Sequence, residues 1–185
     1  MKKILLAGIA LFFCVTVSFA QTTYGLKGGL NVASVRIPDN QVDPMLGVHV
    51  GGFVSAPISD RFALQPELLY SQQGYNTQKY DYRFHYLNLP LIFKGTISGG
   101  LHAQVGPQFG VLLRANRTEG KTSKDITETV SRFDSALALG LGYDLSSLQF
   151  SARYTLGLTD TDETADRGFN GFTNNVFQLS LGVRL

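Results

Sequence analysis

Apolar and polar residues alternate in eight separate segments of this chain. In each segment one face is mainly apolar, and the opposite face carries mostly Gly, Ser, Gln, Asn or a charged residue. A period of two is the pattern of a β-strand whose two faces meet different surroundings. The predicted strands are Thr22–Ser34, Met45–Ala56, Phe62–Gln73, Tyr82–Thr96, Leu101–Leu113, Phe133–Leu145, Leu148–Leu158 and Asn174–Leu185.

The fourth strand has the least regular pattern. Its apolar face runs from Leu87 to Phe93 and also includes Arg83 and His85, while Tyr86 lies on the opposite face. One extra residue in a strand produces this kind of mismatch. The pattern therefore predicts a bulge or a change of face near Tyr86.

The connections between the predicted strands alternate in length. Short turns should join strands at one rim, and longer polar loops should join them at the other, which is typical of an up-and-down barrel in an outer membrane. The short turns are Pro57–Arg61, Ile97–Gly100 and Asp144–Ser147; the long loops are Pro38–Pro44, Arg114–Arg132 and Thr159–Thr173, and Gly74–Asp81 is intermediate.

Alternation alone does not say which face points outwards. A soluble barrel, such as a lipocalin, encloses its apolar face and needs a charged exterior. Here the polar face has few charges in mid-strand, so it suits a barrel interior better than a surface in water, and the apolar face suits lipid. The predicted fold class is therefore all-β, an eight-stranded antiparallel up-and-down transmembrane β-barrel. A soluble periplasmic ligand-binding barrel is the alternative.

The first 20 residues have a different character from the rest. Lys2 and Lys3 precede an apolar run, and the small residues Ser18 and Ala20 end it, which predicts a cleaved signal peptide over 1–20 and a barrel domain over 21–185. The precursor has 16 basic and 14 acidic residues, so loss of two lysines leaves the mature chain neutral. Neutrality gives no support for a nucleic-acid partner. The single cysteine, Cys14, leaves with the signal, so no disulfide is expected.

Several strands also resemble a known family. The run Tyr86–Leu91 (YLNLPL) resembles the "YLxIPLL" strand of the PorT-like outer-membrane β-barrel family of Bacteroidota. Ala152–Thr159 and Phe177–Gly182 resemble its last two strands, and Gly25–Asn31 resembles its first. The resemblance implies an outer-membrane barrel. The family often has Glu where this chain has Asn88. The named type member is tied to protein secretion and gliding, a role that a shared barrel alone does not transfer.

Five charged residues fall on the predicted interior face. They are Lys27, Glu67, Lys94, Arg153 and Arg184. Because an eight-stranded barrel is just wide enough for its own side chains, we expect a polar network in which Glu67 accepts from Lys94 or from an arginine. Water and backbone carbonyls should satisfy the remaining cations. An anion-conducting lumen is the functional alternative.

The sequence offers little for catalysis. His49, His85 and His102 have no metal-ligand spacing, and no nucleophile motif is present, so neither an enzyme nor a cofactor or metal is predicted. The acidic segment Asp160–Asp166 could collect Ca²⁺, and the loop Arg114–Arg132 could meet lipopolysaccharide phosphates or a protein. A solvated loop is the simpler interpretation of both.

Three functional classes follow from this fold. The first is a structural or interaction protein that displays extracellular loops. The second is a subunit of an envelope secretion machine, and the third is the soluble barrel already mentioned. The expected partners are outer-membrane lipid, the barrel assembly machinery during biogenesis, and an envelope protein bound through the loops. The final strand alternates up to the last residue, as in strands that the assembly machinery recognises, although it ends in Leu185 where Phe is usual.

Overall fold

The computed structural model describes residues 22–36, 43–159 and 173–185. The predictions for the signal peptide and the acidic segment Asp160–Asp166 therefore lie outside the described residues. A short 3-10 turn, Thr127–Thr129, lies between two of the strands. The strands are β1 (Thr23–Arg36), β2 (Asp43–Pro57), β3 (Phe62–Asn76), β4 (Asp81–Ser98), β5 (Leu101–Glu119), β6 (Thr122–Asp125), β7 (Phe133–Leu145), β8 (Leu148–Gly157) and β9 (Thr173–Arg184).

The sheet closes on itself. Neighbouring strands pair antiparallel in the circular order β1, β2, β3, β4, β5, β7, β8, β9, and β9 pairs again with β1. The short β6 pairs with the outer end of β5 and takes no part in the ring. Closure satisfies the backbone hydrogen-bonding groups along the ring without leaving an open edge. The prediction of an eight-stranded antiparallel up-and-down barrel is confirmed.

Side chains alternate in and out along each barrel strand. Large apolar residues face outwards; for example, the relative exposure of Leu46 is 67% and that of Leu26 is 61%. Polar side chains such as Gln65 and Asn31 are completely buried inside. This polarity is the reverse of a protein dissolved in water, and it suits a barrel surrounded by lipid. No helix among the described residues has the length and apolar character needed to cross a membrane.

Tight turns define one end of the barrel, which we call the short-turn rim. Gly99 and Gly100 connect β4 to β5, with φ angles of 53° and 92°. Two positive φ values match the twist of a two-residue hairpin, and glycine reaches them without steric cost. At the same rim, residues 58–61 join β2 to β3, and 146–147 join β7 to β8. The opposite end is the long-loop rim.

The bulge predicted near Tyr86 is confirmed by the pairing of β4 with β5. His85 pairs with Arg114, but Tyr86 pairs with Leu112, so the extra residue, Leu113, lies in β5. Tyr86 itself stays inside the barrel and is fully buried. The irregularity therefore shifts the register without exchanging the faces of β4.

The strands at the long-loop rim are longer than the sequence predicted. We expected β5 to end at Leu113 and residues 114–132 to form a loop, but β5 continues to Glu119 and turns back into β6. Likewise β3 reaches Asn76, and β4 starts at Asp81. Above the apolar belt both faces of a strand meet water or loops, so apolar alternation fades although the backbone ladder continues.

Candidate functional site

A charged cluster crosses the middle of the barrel interior. Glu67 on β3 accepts from Lys27 Nζ at 2.6 Å and from both terminal nitrogens of Arg153, at 3.0 and 2.9 Å. In the circular order, β3 and β8 stand opposite each other, so the Glu67–Arg153 pair spans the lumen. Gln65 also donates to Glu67, at 2.8 Å, and Gln104 accepts from Arg153. We call these five residues the central cluster.

A second charged cluster lies nearer the short-turn rim. Asp144 accepts from Lys94 Nζ at 2.8 Å and from Arg184 at 2.5 Å, and Gln149 donates to its other oxygen at 3.0 Å. His102 Nδ1 is 3.8 Å from the same carboxylate. We call these residues the rim cluster. Asp144 is about one quarter exposed, whereas Glu67 is fully enclosed.

The two clusters divide the five charges that the sequence placed inside. Lys27, Glu67 and Arg153 come together, as do Lys94 and Arg184. Lys94 does not reach Glu67, because Asp144 provides a nearer carboxylate. The sequence pattern predicted a turn at Asp144, so water and backbone carbonyls were expected to satisfy the remaining cations. The sequence signal for Asp144 was weak, because an Asp shortly before Ser146 and Ser147 is typical of an ordinary turn.

A layer of uncharged polar groups continues the network towards the long-loop rim. His49 Nδ1 donates to Asn31 Oδ1 at 2.8 Å, and its Nε2 accepts from the Ser180 hydroxyl at 2.9 Å. Asn31 also donates to Ser71 at 3.0 Å, and Gln178 donates to Asn31 at 3.2 Å. These bonds use both nitrogens of the His49 ring. No group of three or more His, Cys, Asp or Glu in the described part of the chain is placed to hold a metal ion.

Apolar side chains cover the interior at the long-loop rim. Phe84, Tyr86, Leu112 and Ala115 form a buried cluster, and four partly buried residues pack against it. The latter are Tyr75, Tyr82, Ile126 and Val130. The interior is therefore layered: the rim cluster lies near the short-turn rim, the central cluster crosses the middle, hydrogen-bonded amides and a histidine follow, and an aromatic cap lies at the long-loop rim.

The long strands build a structure that continues outwards from that cap and shares residues with it. We call it the projection, formed by residues 74–83 of β3, β4 and their turn and by residues 115–130. Tyr75 stacks on Tyr82 with ring centroids 4.6 Å apart, and the Arg117 guanidinium lies 4.7 Å from the centre of the Tyr80 ring. Lys79 pairs with Glu119 at 3.3 Å across the two halves. These contacts were not predicted from the sequence, where a solvated loop was the simpler interpretation of residues 114–132 and contact with lipopolysaccharide phosphates or a protein was the alternative.

A local turn at residues 125–127 lies at the base of the projection, where the segment after β6 returns to β5. The Thr127 backbone N–H and hydroxyl both donate to the Asp125 carboxylate, at 2.9 and 2.6 Å. These hydrogen bonds favour the ionised form and lower the pKa of the Asp125 carboxyl. Thr127 Oγ1 in turn accepts from the Ala115 N–H at 2.9 Å. The turn thus ties the segment after β6 back to β5.

Comparison with known proteins agrees with this architecture. A family model described as "Outer membrane protein beta-barrel domain" matches residues 19–163. No curated protein sequence matches the chain.

Solved structures show the same fold at low sequence identity. Neisserial surface protein A (NspA) superimposes with a TM-score of 0.60 and 14% identity over 88% of this chain and 96% of that one. Ail, the attachment invasion locus protein of Yersinia pestis, gives a TM-score of 0.54 and 15% identity over 88% of this chain and 98% of that one. A second structure holds Ail with the heparin analogue sucrose octasulfate, with a TM-score of 0.53 and 13% identity over 89% and 99% of the two chains.

Proposed function

The chain belongs to the outer membrane protein beta-barrel domain family, and we propose that within the outer membrane it is a structural and interaction protein that acts through its extracellular end. In such barrels short turns face the periplasm and longer loops face outwards. The short-turn rim is therefore periplasmic and the projection is extracellular. The apolar outer face is unsuited to the alternative of a soluble periplasmic barrel.

The observation that carries the proposal is the order of the projection. The stacked tyrosines pack one half of it. The contact between Arg117 and Tyr80 and the pair between Lys79 and Glu119 join its two halves. Tyr and Arg are the residues that dominate binding energy at protein interfaces. Because a preorganised surface loses little conformational entropy on binding, it is well suited to a partner. Ail shows that a barrel of this fold can serve attachment.

A closed interior supports the same role. The Glu67–Arg153 pair crosses the lumen, and the aromatic cap lies between that pair and the outside. Eight strands leave an interior just wide enough for side chains. We propose that the lumen is filled and conducts no solute, and that the protein has no catalytic role, so its function lies at the extracellular surface.

Site-specific photo-crosslinking in cells tests the interaction role. A photoreactive residue at position 121, on the tip of the projection, should give a discrete adduct with an envelope partner. The same residue at position 59, in a periplasmic turn, is the matched control and should give no such adduct. If the double variant Tyr80→Ala, Arg117→Ala gave no adduct at position 121, binding of the partner would depend on the shape of the projection. Equal adducts at both positions, or none at 121, would overturn the proposal.

Further proposals concern family and biogenesis. The YLNLPL run, Tyr86–Leu91, supports a PorT-like chain from Bacteroidota, exported with residues 1–20 as its signal peptide and inserted by the barrel assembly machinery. N-terminal sequencing of the mature protein should begin at Gln21. A stable complex of several envelope proteins at the position-121 crosslink would favour the role of a secretion-machine subunit over that of a freestanding barrel.

A further inference from the structure

An apolar groove lies on the outer surface of the barrel near its extracellular end. Its volume is about 470 Å³, and it crosses β3, β4, β5 and β7. It is bounded at β7 by Asp134 and by Ser135 and Thr159, whose hydroxyls hydrogen-bond to each other at 2.6 Å. Its apolar walls come from Leu68, Leu87, Leu89, Phe109, Val111 and Phe133.

Positive charge stands directly above this groove on the same outward face. On the lipid-facing side of β4, His85 lies two residues from the groove residue Leu87, and Arg83 lies four residues from it, both towards the extracellular end. They are therefore about 7 and 13 Å from Leu87 along the strand. Arg114 pairs with His85 across β4 and β5. Arg83 lies two residues from His85 on the same face of β4, and Arg114 is directly opposite His85 on β5, so the three side chains start from neighbouring positions. Tyr70 joins them through a 2.5 Å hydrogen bond to His85 Nδ1.

The acidic groups nearby pair only weakly with this charge. Asp81 lies two residues from Arg83 on the same face of β4, but it is exposed to solvent, where its charge is screened. Arg114 Nε lies 3.6 Å from Asp125, but both side chains are more than half exposed, and an exposed pair of this kind is weak. Among the described residues, no carboxylate forms an ion pair with Arg83. Asp134 borders the groove at β7, with β5 between it and β4. An anion would therefore be favoured over β4 and β5.

From this arrangement we propose a site for a phosphorylated lipid of the outer leaflet, with an acyl chain in the groove and a phosphate held by Arg83 and Arg114. Planar guanidinium groups match phosphate oxygens through paired hydrogen bonds. The groove lies in the apolar belt and the arginines lie just above it, which is where the chain and headgroup of a lipid are found. This site is separate from the proposed protein contact at the tip of the projection.

A second groove on the barrel surface shows what distinguishes the first. It has a volume of about 520 Å³, lies across β1, β9, β8, β7 and β5, and includes Leu30, Leu141 and Phe150 in its walls. No charged residue lines it. It should accept acyl chains with no preference between headgroups. The selectivity of the first groove therefore depends on the arginines above it.

The test compares two spin-labelled lipids. The full-length mature chain is reconstituted in phosphatidylcholine bilayers containing a trace of labelled phosphatidic acid or labelled phosphatidylcholine, and the motionally restricted fraction is measured. The wild-type protein should prefer phosphatidic acid. Each basic residue near an anionic headgroup is worth about fivefold in affinity, so Arg83→Gln, Arg114→Gln should remove most of the preference. High salt should weaken it in the same way.

Matched variants keep the outcome interpretable. Lys121→Gln, Lys124→Gln removes the same charge from the exposed hairpin of β5 and β6 and should leave the preference unchanged. Leu89→Trp should fill the groove and lower the restricted fraction of phosphatidic acid without exposing new charge. Heat-modified migration on gels checks that each variant is folded. Equal association of both lipids with the wild type, a preference that survives loss of the arginines, an equal effect of the lysine variant, or full competition by inorganic phosphate would each overturn the site.

Discussion

Glu67 illustrates how a single carboxylate organises the barrel interior. It is almost completely buried and holds Lys27 from β1, which is two strands away, and Arg153 from β8, on the opposite side of the ring. Taking ions out of water is unfavourable, so such a cluster contributes stability only while every member keeps its partners. The central cluster has two cations for one carboxylate, and the uncharged groups of Gln65 and Gln104 complete its hydrogen bonds.

Replacing Glu67 with Gln should therefore be severe although the side chains have similar shapes. Lys27 and Arg153 would remain buried without an anion, and loss of one partner from a buried pair lowers the free energy of unfolding by about 3 to 5 kcal/mol. Urea unfolding in lipid vesicles, followed by migration on gels, measures the change. Lys79→Gln is the control, because its pair with Glu119 is exposed and should contribute less than about 1 kcal/mol. If both substitutions changed the free energy of unfolding equally, water would have to screen the charges of the central cluster.

The members of the central cluster could be predicted from the sequence, but their partners could not. Alternation places Lys27, Glu67 and Arg153 on the interior face because that depends on parity alone. Which side chains meet depends on the stagger of the strands and on the barrel diameter. In a ring of eight, residues on opposite strands reach each other. Reasoning from the sequence left both Lys94 and an arginine open as the partner of Glu67, and it overlooked Asp144.

At the level of the strands, two consecutive glycines in β2 differ in what surrounds them. A Cβ on Gly51 would lie 1.9 Å from the Leu68 carbonyl oxygen on β3, whereas a Cβ on Gly52 would lie 3.5 Å from its nearest neighbour, the Gly25 carbonyl oxygen. Gly51 faces inwards, and it lets β3 approach so closely that any side chain would have to push the two strands apart. Glycine at such positions marks a bend in the barrel wall.

Gly51→Ala should therefore destabilise the barrel by about 3 kcal/mol or prevent its folding, because the contact is with backbone that cannot rotate away. Gly52→Ala, one residue further along the same strand, should change the free energy of unfolding by less than about 0.5 kcal/mol. Folding yield in lipid vesicles and urea unfolding compare the two variants. A Gly52→Ala variant as damaged as Gly51→Ala would point to a general need for flexibility in β2.

The extension of β5 should depend on the contacts that join it to the turn after β3. Arg117→Ala removes the guanidinium from the Tyr80 ring, so the amides of β6 should exchange with deuterium several-fold faster, while those of β1 and β9 in the barrel wall keep their protection. Hydrogen exchange followed by mass spectrometry gives both rates in one sample. Lys121→Ala, at the exposed tip, is the control and should leave the β6 rates unchanged. Unchanged exchange in the Arg117 variant would show that the ladder alone holds the projection.

The strands differ in how well their ends could be predicted. Within the apolar belt each residue meets either lipid or the interior, so the alternation is strict and all eight barrel strands were found. Residues 114–119 of β5 carry no such contrast, because their order comes from pairing with β4 and β6 and from the Tyr80 contact. Apolar and polar residues alternate only where the two faces of a strand meet different surroundings. The contacts of residues 114–119 do not require such a difference, so they produce no alternating pattern.

The molecule as a whole places its polar groups inside and its apolar groups outside, and this inversion decides what the lumen can do. The Glu67–Arg153 pair crosses the middle, the rim cluster around Asp144 lies below it, and the cap around Tyr86 lies above. A conducting path would have to pass all three layers. If the side chains of one layer are removed, the other two layers should therefore still block the lumen.

Planar-bilayer recordings in concentrated KCl should accordingly show no unitary conductance for the wild-type barrel. Tyr86→Ala, which opens the cap but keeps the Glu67–Arg153 pair, should also remain silent. Opening both levels with Tyr86→Ala, Glu67→Ala and Arg153→Ala should admit water and give small steps in those molecules that still fold. The control is Leu46→Ala, which removes a large apolar side chain from the lipid-facing surface and should leave the recording silent. Clear steps in the wild type would show that the side chains part on the timescale of ion passage, and would restore the anion-conducting lumen as its function.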